Sequence, residues 1–526
     1  MLFLIFFIFF LFLFFTILIY LFFSSLLFIS YFFNLYSILY LLNTHFFSIF
    51  HYHYLLLLSI ISANFLYYHL FLFINHSKLV FTLNKVELLS PAKNMKALKA
   101  AIPNSDAIYF GIKGFNMRQN ADNFDLSELA SAVKFCHDNN VKAILATNIL
   151  VYDNELDQLR FILESAYYSD IDAAIVHDFA AIQIAQDLKL PFHISTQCNV
   201  SNSLSAQFYE KLGASYIILA RECSLKQIKS IKKNLRSAKI EAFIHGAMCS
   251  AVSGRCYLSA TICGSDEKSA NRGRCTQPCR RSWRVFDNDN HEFIFDGTRF
   301  MNSRDLCMVH HIPEMIEAGI DAFKIEGRMR DPYYVDVVSS IYRQAIEAYY
   351  NNSFSKKKAS LWIKELRKVY NRGFTTGFYF KRPTEFDHQH KSPSNLSHYR
   401  LIKIATITQY DPNSQLASIS LFNGKIFNKL QIIVMGDYSS DTYFKQKIHT
   451  ILLNNSKVNS SPYSSPQKPL SLQIKLSQPA KPLSDHIYVF SNYTYKNRSY
   501  YFKSKKSQSQ TDYKPSKSDF YLFKSS

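Results

Sequence analysis

From residue 86 the chain repeats one pattern, a short β-rich run followed by a stretch with helical periodicity. The runs are VELLSP (86–91), AIYFGI (107–112), VKAILATNI (141–149), AAIVHD (173–178), FHISTQ (192–197), YIILAR (216–221), EAFIHG (241–246) and AFKIEG (322–327). Their near-continuous apolar character suits strands buried on both faces, and strands alternating with helices imply a parallel sheet covered by those helices. Eight such units predict a closed (β/α)8 barrel; a doubly wound open sheet is the alternative, since periodicity alone does not prove closure. Helix starts are marked by the capping boxes Asp125-Leu-Ser-Glu128 and Ser224-Leu-Lys-Gln227, and stops by Gly213 and Gly319.

A barrel of this kind carries its chemistry at the C-terminal ends of its strands. There the sequence places Thr147, Asn148, His177, Asp178, Ser195, Thr196, Gln197, Arg221, Glu222, His245, Lys324, Glu326 and Arg328. For Thr147 and Asp178 an ordinary strand-end or helix-capping role is the plainer reading. His177 and His245 are candidate acid–base groups, because imidazole titrates near neutrality. Lys324 and Glu326 are further catalytic candidates, although alternation on one strand face would also let them simply pair.

Five of the nine cysteines fall in one stretch, GAMCSAVSGRCYLSATICGSDEKSANRGRCTQPCR (246–280), after the seventh run and so on the same face. A loop as long as 247–300 between regular elements is uncommon unless functional. Cys249, Cys256, Cys275 and Cys279 are spaced C-x6-C-x18-C-x3-C. Four thiolates hold zinc or an iron–sulfur cluster, and the single tight pair tilts the expectation toward iron–sulfur. The flanking Arg255, Arg272, Arg274, Arg280 and Arg281 would offset the charge of such a cluster or contact phosphate. Cys263 is left over; Cys136, Cys198, Cys223 and Cys307 read as packing residues. The absence of a disulfide-like framework suits a reducing compartment, and a cytoplasmic location is expected.

The two ends of the chain differ from the middle. Residues 1–82 form an apolar extension, long enough to span a bilayer but without a basic n-region or cleavage site; it is a membrane anchor or a spurious segment, and membrane association depends on which. Residues 81–350 balance 31 Lys/Arg against 31 Asp/Glu, whereas the remainder carries 28 against 9, so nearly all of the +20 net charge lies in the last third. The expected organisation is a catalytic barrel over 85–350, a helical linker over 351–395, a small antiparallel β-barrel over 396–500 built from about six alternating runs, with a hairpin at Asn423-Gly424, and a disordered basic tail over 501–526.

The block HGAMC…SGRC…NRGRCTQPCR, together with ELLSPA (87–92), STQCNVSNS (195–203), LARECSLKQI (219–228), MNSRDL (301–306) and KIEGRMR (324–330), resembles the collagenase-like peptidase family of unassigned catalytic type, in particular its tRNA uridine 5-hydroxylation branch. The resemblance spans roughly 85–500. It implies a (β/α)8 domain, a C-terminal β-barrel, a [4Fe–4S] cluster on Cys249, Cys256, Cys275 and Cys279, tRNA as substrate, and prephenate as co-substrate. A small dianionic donor such as prephenate needs cationic clamps, for which Arg118, Arg221, Lys324 and Arg328 are candidates, with Gln197 and Asn199 as further substrate-binding residues. The basic C-terminal third suits RNA. Proteolysis is the competing reading, with His245 four residues before Cys249 as a conceivable base. An rRNA cytidine hydroxylase or a non-catalytic RNA-binding factor are the others. No H-E-x-x-H or G-x-S-x-G motif is present.

Overall fold

The computed structural model describes residues 85–292, 299–390 and 395–492. The apolar extension and the basic tail lie outside them. Among the described residues no helix is long and apolar enough to cross a membrane.

All eight predicted runs form strands of one parallel barrel: β1 (Glu87–Pro91), β2 (Ala107–Gly111), β3 (Lys142–Thr147), β4 (Ala173–Val176), β5 (Phe192–Ile194), β6 (Tyr216–Ile218), β7 (Lys239–Ala247) and, after an inserted β8 (Asp305–Cys307), β9 (Ala322–Ile325). Each pairs in parallel with its neighbour, and β9 closes the ring between β7 and β1. The open-sheet alternative is thereby excluded. Strand β2 is buried at every position and β3 at all but Lys142. Full burial of each Ile, Leu or Phe contributes roughly 1.5–3 kcal/mol, enough for these runs to specify the interior without polar help. Both predicted capping boxes form, and Asp178 caps the helix after β4 through Ala180 N (2.9 Å).

β8 runs antiparallel to β7 at its outer end, His245–Ala247, beyond Glu241, where the pairing with β6 ends. β10 (Phe374–Thr375) adds to β8. The stretch read as a helical linker therefore returns to the barrel. Its described residues hold one α-helix, Lys356–Leu366, and then place Arg372 in a buried pair with Asp305 (Nη2–Oδ1 2.5 Å, Nε–Oδ1 3.0 Å).

The C-terminal region is an eight-stranded antiparallel sheet of β11 (Tyr399–Asp411), β12 (Leu416–Leu421), β13 (Gln431–Gly436), β14 (Tyr443–Lys447), β15 (Ile451–Leu453), β16 (Ser456–Lys457), β17 (Leu470–Lys475) and β18 (Asp485–Asn492), in the order β14-β13-β18-β11-β12-β17-β15-β16. Sequence reading recognised six of these strands. It missed β14 (Tyr443–Lys447) and the two-residue β16 (Ser456–Lys457), which lack an alternating apolar run. The end strands do not pair with each other among the described residues, so the expected small barrel is a sheet folded round its own apolar cluster, including Ile404, Ile432, Phe444, Ile451 and Leu472. Asn423-Gly424 does not make a hairpin either. β12 (Leu416–Leu421) pairs with β11 and β17, and β13 (Gln431–Gly436) with β14 and β18.

The sheet docks on the first turns of the helices that follow β1 and β9, Met95–Ala101 and Pro332–Tyr350. Lys96 donates to the Asp437 carbonyl (2.5 Å). The Tyr443 hydroxyl and Lys445 ammonium both reach the Asp336 carboxylate (2.6 and 2.7 Å), and Tyr333 packs on Phe490. Helices begin where parallel strands end, so this contact sets the basic domain beside the barrel mouth.

Candidate active site at the barrel mouth

The strand ends converge on a cavity lined by Tyr109, Arg118, Asn148, Ser195, Gln197, Arg221, Phe243, Lys324, Glu326 and Arg328, among others. Glu326 is its centre. Its carboxylate accepts from Arg118 Nε (3.0 Å) and lies 3.9 Å from Arg221 Nη2. Burial opposes ionisation of this carboxyl, but Arg118, Arg221 and Arg328 overcome it and hold its pKa at about 2. Arg328 donates to Asn116 Oδ1 (3.0 Å), and burial pulls its pKa down to about 10, so it remains cationic. Arg221 donates to the Ala247 carbonyl and lies 3.9 Å from the Phe243 ring centroid. The open volume is only about 30 Å³ with Glu326 set among the guanidiniums.

Below this layer Lys324 donates to Glu241 Oε1 (2.6 Å) and sits 4.0 Å from the centroid of the Tyr109 ring. Glu241 is fully buried; burial would raise its pKa, but Lys324 and then His193, 3.5 Å away, hold it below the usual carboxylate range. Four cations over two carboxylates leave the mouth two positive charges. Asn148 donates to Ser195 Oγ (3.0 Å) and Gln197 Oε1 (3.1 Å), giving the opposite wall a neutral polar network.

The cysteine loop folds over the same mouth. Cys249 follows β7 by two residues; Cys279 sits inside a single 3-10 turn, Pro278–Arg280, entered through Gln277 in the left-handed region, and Cys275 lies just before that turn. Gly273 seats the loop: at φ +76 a Cβ would lie 2.3 Å from the Asn116 carbonyl oxygen, and at Gly254 one would meet Gln197 Cγ at 2.7 Å. Arg272 grips Glu155 with both nitrogens, and Arg280 donates to the carbonyls of Met248 and Ser303 (2.8 Å to Ser303). These two arginines are thus structural ties for the loop, a use that sequence reading did not foresee.

Burial pushes the Cys275 and Cys279 thiols up, and Cys249 and Cys256 add to the effect on both. The four thiols therefore form one electrostatic group. Cys249 also interacts with Arg118, Arg280 and Arg372, so Arg118 links the thiols to the cavity.

Of the residues singled out from sequence, Arg118, Gln197, Arg221, Lys324, Glu326 and Arg328 line the cavity. Lys324 and Glu326 do not pair with each other; each is taken by a partner on another strand or loop. His177, Asn199 and His245 are not among the lining residues. His177 faces the Ile149 carbonyl (3.4 Å), and Asn199, in the left-handed region, donates to the carbonyls of Gln197 (2.7 Å) and Ser253 (3.3 Å), fastening the cysteine loop. His245 is turned outward by a register shift between Phe243 and His245, into a buried site among Tyr334, Tyr342 and Phe374. Burial lowers its pKa to about 4, which makes it a neutral packing residue rather than an acid–base group at the mouth. Sequence reading missed Tyr109, Asn116 and Glu241. A charge inside an otherwise apolar strand was the available signal for Glu241; Tyr109 and Asn116 had none. Cys136, Cys223 and Cys307 are buried, as expected, and Cys198 is half-buried.

The described geometry has relatives. The chain is 44% identical over 359 residues to an uncharacterized protease of Methanocaldococcus jannaschii, covering 66% of this chain and 86% of that one. It is 35% identical over 367 residues to a collagenase of Porphyromonas gingivalis (67% and 87%), and 34% identical over 347 residues to tRNA hydroxylation protein P1 of Bacillus subtilis (64% and 81%). The family model for peptidase family U32 matches residues 93–389, the span holding most of the barrel, the cysteine loop and β10. With more than half of its length matched by that model, the chain belongs to peptidase family U32.

Proposed function

We propose that this protein hydroxylates the 5-position of a uridine in tRNA, using a [4Fe–4S] cluster held by Cys249, Cys256, Cys275 and Cys279 and prephenate as co-substrate. The observation that carries the reading is one mouth combining two excess positive charges with four clustered thiols. Relatives named for tRNA hydroxylation support the reaction class.

Four thiols that act as one electrostatic group suit a cluster of several irons, with Arg118, Arg280 and Arg372 near Cys249 to balance its charge. When bound, such a cluster supplies electron-transfer or Lewis-acid chemistry beside the cavity. Arg118, Arg221 and Arg328 receive the carboxylates of the donor, whose entry requires Glu326 to give way. Lys324, neutralised by Glu241, stays aimed at the cavity floor. Gln197, Ser195 and Asn148 offer the amide and hydroxyl groups that a pyrimidine edge can use. A looped nucleotide enters such a mouth once it is splayed from its stack.

The relative named collagenase keeps proteolysis as a second reading. A cysteine peptidase needs a base on its nucleophile. Here His245 points away from the mouth, and Cys249 Sγ hydrogen-bonds to no histidine among the described residues. The test is mass spectrometry of tRNA incubated with anaerobically purified protein and prephenate, run beside a gelatin digestion. Hydroxylated uridine supports the proposal. Gelatin cleavage lost in Cys249→Ala, with no modified nucleoside, replaces it with the peptidase.

A further inference from the structure

A second concavity, of about 600 Å³, lies between the barrel and the C-terminal sheet. One wall is the end of the helix Lys356–Leu366 and the turn after it, with Lys364, Arg367, Lys368, Asn371 and Phe374. The other is the entry to β11, with Leu396, His398 and Tyr399, and Asn492 of β18; Arg304, at the foot of β8, joins them. Its lining contains four permanent cations and an imidazole, and no carboxylate. Lys368 is paired with Glu365 (2.6 Å), but Lys364 and Arg367 are exposed and have no ion-pair partner among the described residues.

The helix macrodipole accounts for cations near a helix C-terminus, and Lys364 and Arg367 alone would need no other explanation. It does not account for Arg304 or His398, which come from separate segments and converge on the same space. Four cations and an imidazole on one concavity of this size, with no carboxylate among them, suit a chain of phosphates better than a single one. Aromatic side chains are interleaved with them. Tyr399 stacks on Phe490 (ring centroids 5.4 Å apart, planes at 27°) and has the Lys368 ammonium 5.6 Å from its centroid, while Phe374 lines the floor. Base-stacking platforms beside cations are the usual means of holding single-stranded nucleic acid. A flat lipid surface does not reach half-buried Arg304 and Lys368 in a cleft between two lobes.

The groove is also tied to the cysteine loop at the mouth. Arg304 follows Ser303, whose hydroxyl is 2.9 Å from that of Ser250, the neighbour of Cys249, and whose carbonyl binds Arg280, the neighbour of Cys279. We propose that this groove is the track for the sugar-phosphate backbone of the RNA substrate, holding the single-stranded segment next to the nucleotide presented to the mouth. The proposal rests on the RNA-modification reading and assigns it a binding site.

The test uses the full chain. Lys364→Glu/Arg367→Glu is compared with wild type and with an equal charge reversal at two exposed lysines outside the groove, Lys457→Glu/Lys468→Glu. Affinity for unmodified tRNA is measured by fluorescence anisotropy across a salt series. The groove variant is expected to bind about tenfold or more weakly, with the slope of log K against log salt shallower by about 1.4, two contacts at about 0.7 each for a single strand. The control variant stays at the wild-type value. Photocrosslinking of 4-thiouridine tRNA, read by mass spectrometry, is expected to mark Tyr399 or Phe374 and needs no variant. If wild type binds and hydroxylates tRNA while the groove variant matches it in affinity and slope, the groove is refuted and the RNA reading stands. If wild type neither binds nor hydroxylates RNA, or the groove variant loses only an acidic polypeptide such as polyglutamate, the track is refuted in either case, and the first result removes the RNA reading with it.

Discussion

Lys324→Met leaves Glu241 with its carboxylate in the barrel core and its main counter-charge gone. In the wild type the ammonium is 2.6 Å from Oε1, Glu241 is 0% exposed, and the nearest other compensation is His193 at 3.5 Å. Losing one partner of a buried pair costs about 3–5 kcal/mol. Protonation gives a consistent figure: neutralising a carboxyl of ordinary pKa about 4.3 at pH 7.5 costs about 4.4 kcal/mol, at 1.36 kcal/mol per unit. For a cooperative unit of roughly 300 residues that corresponds to a Tm lower by about 5–8 °C. The pH dependence has opposite signs in the two proteins. In the wild type the Glu241 pKa is depressed, so its contribution is present above the ordinary carboxylate range and is lost as pH falls through the folded value. In the variant, burial without Lys324 raises the folded pKa by several units. The penalty then shrinks as pH falls, by about 2.7 kcal/mol between pH 7.5 and 5.5. Near-UV circular dichroism melts at the two pH values measure both effects, and Glu241→Gln/Lys324→Met should recover most of the loss. An unchanged Tm at pH 7.5, or a gap to wild type that widens at pH 5.5, would refute the buried-pair account.

Protein purified without oxygen should be brown, with about four iron and four sulfide per chain, and Cys275→Ser should bleach it; stoichiometric zinc in the wild type overturns the cluster. Arg118→Ala removes the guanidinium 3.0 Å from Glu326 and should raise KM for prephenate about tenfold or more while tRNA affinity holds. Weaker tRNA binding with an unaltered donor KM would instead put Arg118 on the RNA. Because the His245 pKa of about 4 leaves it neutral, His245→Gln should preserve the shape of the pH–rate profile from pH 6 to 8, although some stability is lost with the Tyr342 contact. A displaced limb in that range would return His245 to the chemistry.

The barrel was legible because its strands are buried on both faces. Runs such as AIYFG and KAILAT announce their burial by composition alone, and their number gave the closure that pairing then realised. The cysteine spacing and the excess of basic residues after residue 350 are likewise properties of the chain itself. Strand-end position also picked out Arg221, Lys324, Glu326 and Arg328, since in this fold the end of a strand is a place as well as a sequence offset. What sequence left undecided was direction and partnership. A single register shift in β7 turns His245 out of the barrel while Glu241, four residues earlier, lies beside Lys324; a period of two cannot foresee that break. Lys324 and Glu326 stand close enough in sequence to suggest a pair, yet each pairs elsewhere, Lys324 with Glu241 on the neighbouring β7 and Glu326 with Arg118 on the loop after β2. β14 and β16 escaped notice because an edge strand needs few apolar residues, and the basic groove because its cations lie more than ninety residues apart, from Arg304 to His398. Local composition thus determined which segments are buried and which residue types reach the mouth, whereas which charges meet there is a long-range Coulombic and packing outcome that only the closed barrel and its docked sheet decide.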